Sequence, residues 1–347
     1  MVQYLPSIAG VAIISILITR MLIPLSHFLG LLDRPDNRKT HSGSIPLIGG
    51  ISIYLSVLFC AVLFLNLPDQ FIGIALICGL ITFLGALDDR YPVHPNYRLL
   101  MQLIAGITIA TVGHACLRDL GNLVGLGTIT LGFLAIPFTA VTITGLCNAY
   151  NMVDGIDGLA GSLTLVSILG LLFLANGHAA DNEVALLAYM ATSISVFLIF
   201  NLNTKYKIFM GDAGSTFLGC SVAIAMIYFS QNNALRPATA LWLVAVPLMD
   251  MTSTMVRRMS KGKSPFHADR THLHHILIRG GLSQRQALIA IILAAAGIAG
   301  IGIGLERVWP QNDAISFGLF LLTFAMYFQF IFKHAFKFAR SIRRLSR

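Results

Sequence analysis

Three short stretches hold most of the residues able to do chemistry. Leu87-Asp88-Asp89-Arg90 puts two carboxylates side by side at the end of an apolar run. Adjacent carboxylates repel, and the free carbonyls of a helix end add to the repulsion, so the pair needs a cation or a basic partner. Arg90 could neutralise it; the functional readings are a divalent metal or a carboxylate that accepts a proton beside phosphate. Asn148-Ala-Tyr-Asn151-Met-Val-Asp154-Gly-Ile-Asp157-Gly repeats a polar group every third residue. A step of three falls about 60° short of a helical turn, so a straight helix would set Asn148 and Asp157 on opposite faces. Gly155 and Gly158 predict that the helix ends near Asn151 to Asp154 and restarts near Asp157, which lets all four line one pocket. An ordinary Asp/Gly loop is the alternative.

The third stretch, Phe209-Met-Gly-Asp212-Ala-Gly-Ser215, follows Lys205 and Lys207 and precedes an apolar run. Asp212 could N-cap the next helix with Ser215 nearby. The same helix start, with its glycines and lysines, also suits phosphate. Phe209 offers a face for stacking a base, or an aromatic anchor at the membrane surface.

Four of the ten histidines fall between His267 and His275, behind Arg257-Arg258. Zinc wants ligands from separated segments completed by Cys or carboxylate, and only Asp269 is near. His272, His274 and His275, with Arg258 and Arg270, therefore read as protonatable donors for phosphate or sugar. Asp269 is the expected N-cap of a short helix here, Gly280-Gly281 its stop, and Ser283-Gln-Arg-Gln286 a capping box opening the next span. Lys39, in Asp36-Asn-Arg38-Lys39-Thr-His41, and Arg98 add cations to the same surface. Asp250 lies inside an apolar run, which is costly unless it is paired or faces water; it reads as structural or as support for the site.

These groups must be positioned by membrane helices. Of the 347 residues 56% are hydrophobic and 11% charged, and mean hydropathy is +0.77. That excludes a disordered chain and argues against a soluble enzyme. The apolar blocks, each about 20 residues long, predict an all-α polytopic protein with spans at 5–32, 47–66, 70–87, 98–116, 130–150, 158–176, 184–202, 213–230, 236–256, 286–304 and 314–332. The first block lacks a basic leader and is too long for a signal core, so it is expected to stay as a span. The Gly-rich connection 117–129 is a hairpin or an irregular turn. The five cysteines, without C-x-x-C spacing, read as buried hydrophobes.

Twenty of the 24 Lys and Arg fall on the odd-numbered connections and the C-terminal tail, against three on the even ones. The positive-inside bias places the odd side in the cytoplasm, with the N-terminus outside and the C-terminus inside. The long loops, including the His/Arg loop 257–285, share that side, so the chemistry is expected there. Topology accounts for the net charge of +9 and no nucleic acid is needed. The basic tail, 333–347, is an interfacial helix or an unstructured stop signal. One domain, 1–347, is expected.

In this order the motifs resemble those of the polyprenyl-phosphate N-acetylhexosamine-1-phosphate transferases. The resemblance runs through Asp88-Asp89-Arg90, Asn148-x-x-Asn151-x-x-Asp154-Gly-Ile-Asp157-Gly, Phe209-Met-Gly-Asp212-Ala-Gly-Ser215 and His272-x-His274-His275. Leu273 interrupts the three consecutive histidines of members that transfer phospho-muramoyl-pentapeptide, which favours the members using UDP-N-acetylglucosamine. The resemblance implies transfer of sugar 1-phosphate from a UDP-sugar to undecaprenyl phosphate, with release of UMP, in the bacterial inner membrane. It also implies Mg²⁺, with Mn²⁺ as the alternative ion, a homodimer, and a lipid-linked product that starts cell-surface polysaccharide synthesis. Asp212 with Asn151 would hold the metal, Phe209 and Asp157 would serve uridine, Asp88 would act on the lipid phosphate, and Arg258 with His272, His274 and His275 would grip the diphosphate and sugar. Asp89 and Asp154 join the catalytic group, and Asn148, Lys39, Arg98, Lys207 and Arg270 the substrate-binding one.

Other classes fit less well. An intramembrane aspartyl protease needs G-x-G-D, and position 209 is Phe; a CDP-alcohol phosphotransferase needs an Ala-Arg after Asp-Gly that is missing here. A transporter would place its ionisable groups nearer the membrane midplane. The remaining alternatives are the same chemistry with another UDP-N-acetylhexosamine or UDP-muramoyl-pentapeptide, and, in a different class, a non-catalytic binder or transporter of polyprenyl phosphate.

Overall fold

The computed structural model describes residues 5–34, 43–113, 115–175, 181–265 and 272–334. Lys39, Arg270, Asp269 and residues 335–347 of the basic tail lie outside the described residues. The chain runs through α1 (Leu5–Leu29), α2 (Gly49–Phe64), α3 (Asp69–Arg90), α4 (Pro95–Thr111), α5 (Ala135–Val153), α6 (Leu159–Ala175), α7 (Asp181–Asn201), α8 (Gly211–Gln231), α9 (Pro237–Leu243), α10 (Ala245–Met259), α11 (Leu273–Arg279), α12 (Gln284–Val308) and α13 (Asp313–Gln329). A short antiparallel pair, β1 (Leu32–Asp33) with β2 (Ile45–Pro46), sets Leu32 opposite Pro46 and Asp33 opposite Ile45.

Every predicted span coincides with helix. Among the described residues seven helices are long and apolar enough to cross a membrane, and eight if α9 and α10 count as one span. The protein is a multi-pass α-helical membrane protein. The expected continuous span 236–256 is broken: α9 and α10 meet at 80° around Val244. Pro247, in the first turn of α10, has no N–H to give the preceding turn, so the helix axis can turn there.

α8 is apolar all round and buried along nearly its whole length, as the central helix of such a bundle must be. Small residues let its neighbours approach to backbone contact. A Cβ on Gly50 of α2 would lie 2.1 Å from Gly214 Cα, and one on Gly85 of α3 would lie 2.5 Å from Ala213 Cα. The site thus sits on rigid, closely packed helices.

The helix ends sort into the two sets that loop numbering predicted. At one end, Phe209 N donates to Pro46 O (2.8 Å), tying the first odd connection to the one before α8, and Gly49 N at the start of α2 donates to Phe209 O (2.9 Å). At the other, Arg236 pairs with Glu306 and Asp313, each at 3.0 Å, and Gln231 accepts from Arg118 N at 2.8 Å. The connection 117–129 takes the hairpin alternative: Leu120 N donates to Ile129 O (2.9 Å) and Ile129 N to Gly121 O (3.0 Å). The capping box forms as expected, with Gln286 N donating to Ser283 Oγ (3.2 Å) and Ser283 N to Gln286 Oε1 (2.9 Å). All five cysteines are free.

Candidate active site

The acidic pair at the end of α3 divides its work. Asp89 accepts from the backbone N–H of Asp212 (2.7 Å) and of Ala213 (3.1 Å), capping α8 from another helix. Gly211 makes this possible: its φ is +72°, and a Cβ there would lie 2.5 Å from Asp89 Oδ2. Two expectations change. Asp212 is not the N-cap but lies in the first turn of α8, and the N-cap residue, Met210, supplies no side-chain bond. The first amides of α8, expected to meet phosphate, already face a carboxylate, which the positive end of the helix favours.

Asp88 turns the other way. Its Oδ1 accepts from Val93 N (2.8 Å), and its Oδ2 lies 2.6 Å from Arg98 Nη1. Arg90, the obvious neutralising neighbour in sequence, instead lies over the Tyr91 ring at 5.0 Å. Arg98 also reaches Asp212 Oδ2 (3.1 Å) and Asn151 Oδ1 (3.2 Å), while Asn151 Nδ2 donates to Asp212 Oδ1 (2.7 Å) and Ser215 Oγ (2.9 Å). Oxygens from α3, α5 and α8 therefore converge on one guanidinium carried by α4.

α5 ends at Val153 and α6 restarts at Leu159, as the glycines predicted, with Gly158 at φ +80°. Asp154 follows α5 and makes no hydrogen bond among the described residues. Burial, and then the nearby Asp212, Asp89 and Asp157, push its carboxyl up to about 8, so it keeps its proton at neutral pH. Asp157 is carried off to Lys207 Nζ at 2.6 Å, and that ammonium lies 5.2 Å from the Phe209 ring centre. The four polar groups of this stretch therefore do not all meet. Asn148 lies one turn deeper and donates to Gln102 Oε1 (2.7 Å) and Thr144 O (2.8 Å).

The oxygens of Asp88, Asp212 and Asn151 around Arg98 form a hard donor set that carries negative charge, and Asp154, held protonated first by burial and then by the neighbouring carboxylates, adds a neutral carboxyl beside it. That chemistry suits Mg²⁺, which takes one or two carboxylates plus substrate phosphates. Asp212, Asp88 and Asn151 are the residues that would hold it.

The histidine loop closes on the same region. Arg258, buried, donates to Pro265 O at 2.6 Å and folds the loop back. His272, not Asp269, is the N-cap residue of α11. Its ring lies parallel to that of His274 at 6.0 Å, and His275 is tilted against His274 at 4.1 Å. His274 departs from the protonatable reading, because burial, followed by His275, lowers it to about 3 and keeps it neutral. Its buried Nε2 has no hydrogen-bond partner among the described residues and would lie 2.1 Å from a Cβ on Gly155. Gly155→Ala is accordingly expected to push α11 off the site and lower turnover about 10-fold or more, by displacement of positioned groups; steady-state kinetics of the variant check this.

Two cavities flank these elements. The larger, about 300 Å³, is apolar and lies between α2, α3, α7 and α8, toward the ends away from Asp212, with Glu183 hydrogen-bonded to Tyr228 beside it. The smaller, about 230 Å³, runs from Ile81, Leu84 and Met101 to Asp88, Arg98 and Asp212. Its lining passes from apolar to charged, as an amphiphile with an anionic head requires.

Two contributors were not singled out from sequence: Gln102, and Asn201, whose Oδ1 accepts from Gly158 N at 2.6 Å and whose Nδ2 donates to Ile208 O at 2.8 Å. Gln102 and Asn201 carried a usable signal, since a lone amide in an apolar run is costly in lipid unless bonded.

The protein-family model described as glycosyl transferase family 4 matches residues 71–230, the stretch that supplies the carboxylates and Asn151. An undecaprenyl-phosphate alpha-N-acetylglucosaminyl 1-phosphate transferase of Yersinia pestis is 41% identical over 328 residues, covering 92% of this chain and 88% of that protein. Proteins of the same name from Escherichia coli strain K12 and Haemophilus influenzae are 39% and 37% identical, over 92% and 93% of this chain and 88% and 92% of their own lengths. The chain belongs to glycosyl transferase family 4, the family of these membrane transferases.

Proposed function

We propose that this protein transfers N-acetylglucosamine 1-phosphate from UDP-N-acetylglucosamine to undecaprenyl phosphate, releasing UMP and forming the lipid-linked diphosphate sugar that begins a cell-surface polysaccharide. The observation that carries the reading is the convergence of Asp88, Asn151 and Asp212 on Arg98 at the charged end of an otherwise apolar cavity. The relatives' name agrees with it. We place the site at the cytoplasmic face of the bacterial inner membrane, in a chain of eleven spans with its N-terminus outside. The clustering of the basic connections at one end of the helices supports that orientation.

In this reaction an oxygen of the lipid phosphate attacks the phosphorus that carries the sugar, and the bond from that phosphorus to the bridging oxygen breaks, leaving UMP. Such transfer depends on alignment and charge neutralisation more than on covalent help. Asp212, Asn151 and Asp88 would hold Mg²⁺ or Mn²⁺, which would supply positive charge to neutralise the diphosphate oxygens. Arg98 adds a fixed positive charge beside them. The second pKa of a phosphate monoester is near 6, so the attacking group needs little help from a base. Asp88, held by Val93 N–H and Arg98, orients the lipid phosphate, an arrangement that favours direct attack over an aspartyl intermediate. Phe209 offers the uracil a stacking face beside Lys207 and Asp157. His272, His274, His275 and Arg258 bind the diphosphate and sugar, and by resemblance Lys39 and Arg270 join them.

The test is UMP release by purified protein supplied with Mg²⁺ and undecaprenyl phosphate, with UDP-N-acetylglucosamine, UDP-N-acetylgalactosamine and UDP-muramoyl-pentapeptide given separately. Release that needs lipid, metal and the first donor is expected. Preference for another donor overturns the sugar assignment, stoichiometric release without lipid overturns direct attack, and silence with every donor from folded protein leaves polyprenyl-phosphate binding as the reading.

A further inference from the structure

We infer that Asp250 is a positioning residue for the reaction, acting through His272. Asp250 sits on α10 and is 2% exposed, a costly place for a carboxylate unless every lone pair is used. Its two oxygens have different partners. Oδ1 accepts from Leu273 N (2.9 Å), at the start of α11, and from the Tyr327 hydroxyl (3.1 Å), on α13. Oδ2 is left to His272 Nδ1, at 2.8 Å. One carboxylate thus joins three helices with one oxygen and fixes an imidazole with the other.

The consequence for His272 is chemical. A carboxylate at Nδ1 makes that nitrogen the N–H donor in the neutral and the protonated ring alike, so Nε2 is the position that gains or offers a proton. Such a carboxylate also holds the ring in one orientation, the role it plays in hydrolytic triads. The His272 ring lies parallel to that of His274, whose Nε2 packs against Gly155 of the site, so the orientation set by Asp250 carries into the cluster proposed to bind the diphosphate. Ile276 of α11 packs with Ile331, Tyr327 and Phe330 at the end of the last helix, which keeps α11 seated against Asp250.

The inference rests on the proposed role of His272 in binding substrate, and the experiment separates the two. Asp250→Asn is nearly isosteric. Its carbonyl can still take the Leu273 and Tyr327 donors, which turns its amide N–H toward His272 and moves the ring proton from Nδ1 to Nε2. In the otherwise unaltered protein we expect kcat to fall about 10- to 100-fold, with KM for undecaprenyl phosphate little changed. In a His272→Ala background the same substitution is expected to change kcat less than about 2-fold, because there is no ring left to orient.

An equal loss in both backgrounds would mean that Asp250 acts on the fold and would overturn the inference, as would no loss in the first. Unchanged kinetics of His272→Ala alone would overturn the substrate-binding role of His272 instead. Should Asp250→Asn not fold, Tyr327→Phe removes one donor to the same carboxylate. Its expected fall of about 2- to 10-fold should likewise vanish without His272, and a fall that persists counts against the inference.

Discussion

Asp212→Asn is expected to lower Mg²⁺-dependent turnover by about 10²- to 10³-fold while the protein stays folded. The side chain keeps its shape, and its single oxygen can still accept from Arg98 or from Asn151, which in the parent donate to different oxygens. What disappears is the negative charge at the point where α3, α4, α5 and α8 meet. Its neighbours do not replace it: Asp88 is shared with Val93 N–H and Arg98, Asp89 is bound to the first amides of α8, Asp154 is protonated and Asn151 is neutral. Initial rates of UMP release across a Mg²⁺ titration, with a thermal melt of the same preparation, check the expectation. Near-normal turnover at the parent's Mg²⁺ requirement would remove Asp212 from the metal site.

Asp89→Ala is expected to damage stability as well as rate. It leaves the N–H groups of Asp212 and Ala213 without an acceptor and removes the one carboxylate that caps α8. Lost capping and unsatisfied amides together cost about 1–3 kcal/mol, a large part of what holds a marginally stable fold. Because Asp212 is one of the two residues capped, its carboxylate should also shift, and turnover should fall at least about 10-fold even below the melting transition. Unfolding in detergent, followed by heat or limited proteolysis, tests the first part. A melting temperature equal to the parent's would show that water replaces the cap.

Much of this was legible from residue order. Apolar blocks of bilayer length give the helices because unpaired backbone groups cannot be left in lipid, so the blocks must close their own hydrogen bonds. The glycines after Asp154 and Asp157 announce the break between α5 and α6, and Ser283 with Gln286 announces its own capping box; each is a local property of a few neighbouring residues. The four motifs carry the family, because their types and order survive without knowing where they meet. The bend between α9 and α10 was less legible, since hydropathy averages over Pro247.

Sequence alone therefore determined that this is a helical membrane protein and which short stretches hold its chemistry. Partner choice was left to tertiary structure. Arg90 is adjacent to Asp88-Asp89 and Arg98 is not, yet Arg98 takes the charge, because α4 brings it alongside α5 and α8 while Arg90 lies over Tyr91. Asp89 became a cap for a helix more than a hundred residues away, and Asp250 found His272 and Tyr327 on two other helices. Periodicity fixes which residues share one helix, but it carries no information on how that helix is rotated and packed against the others. That packing decides which carboxylate meets a cation, which caps a helix and which orients a histidine.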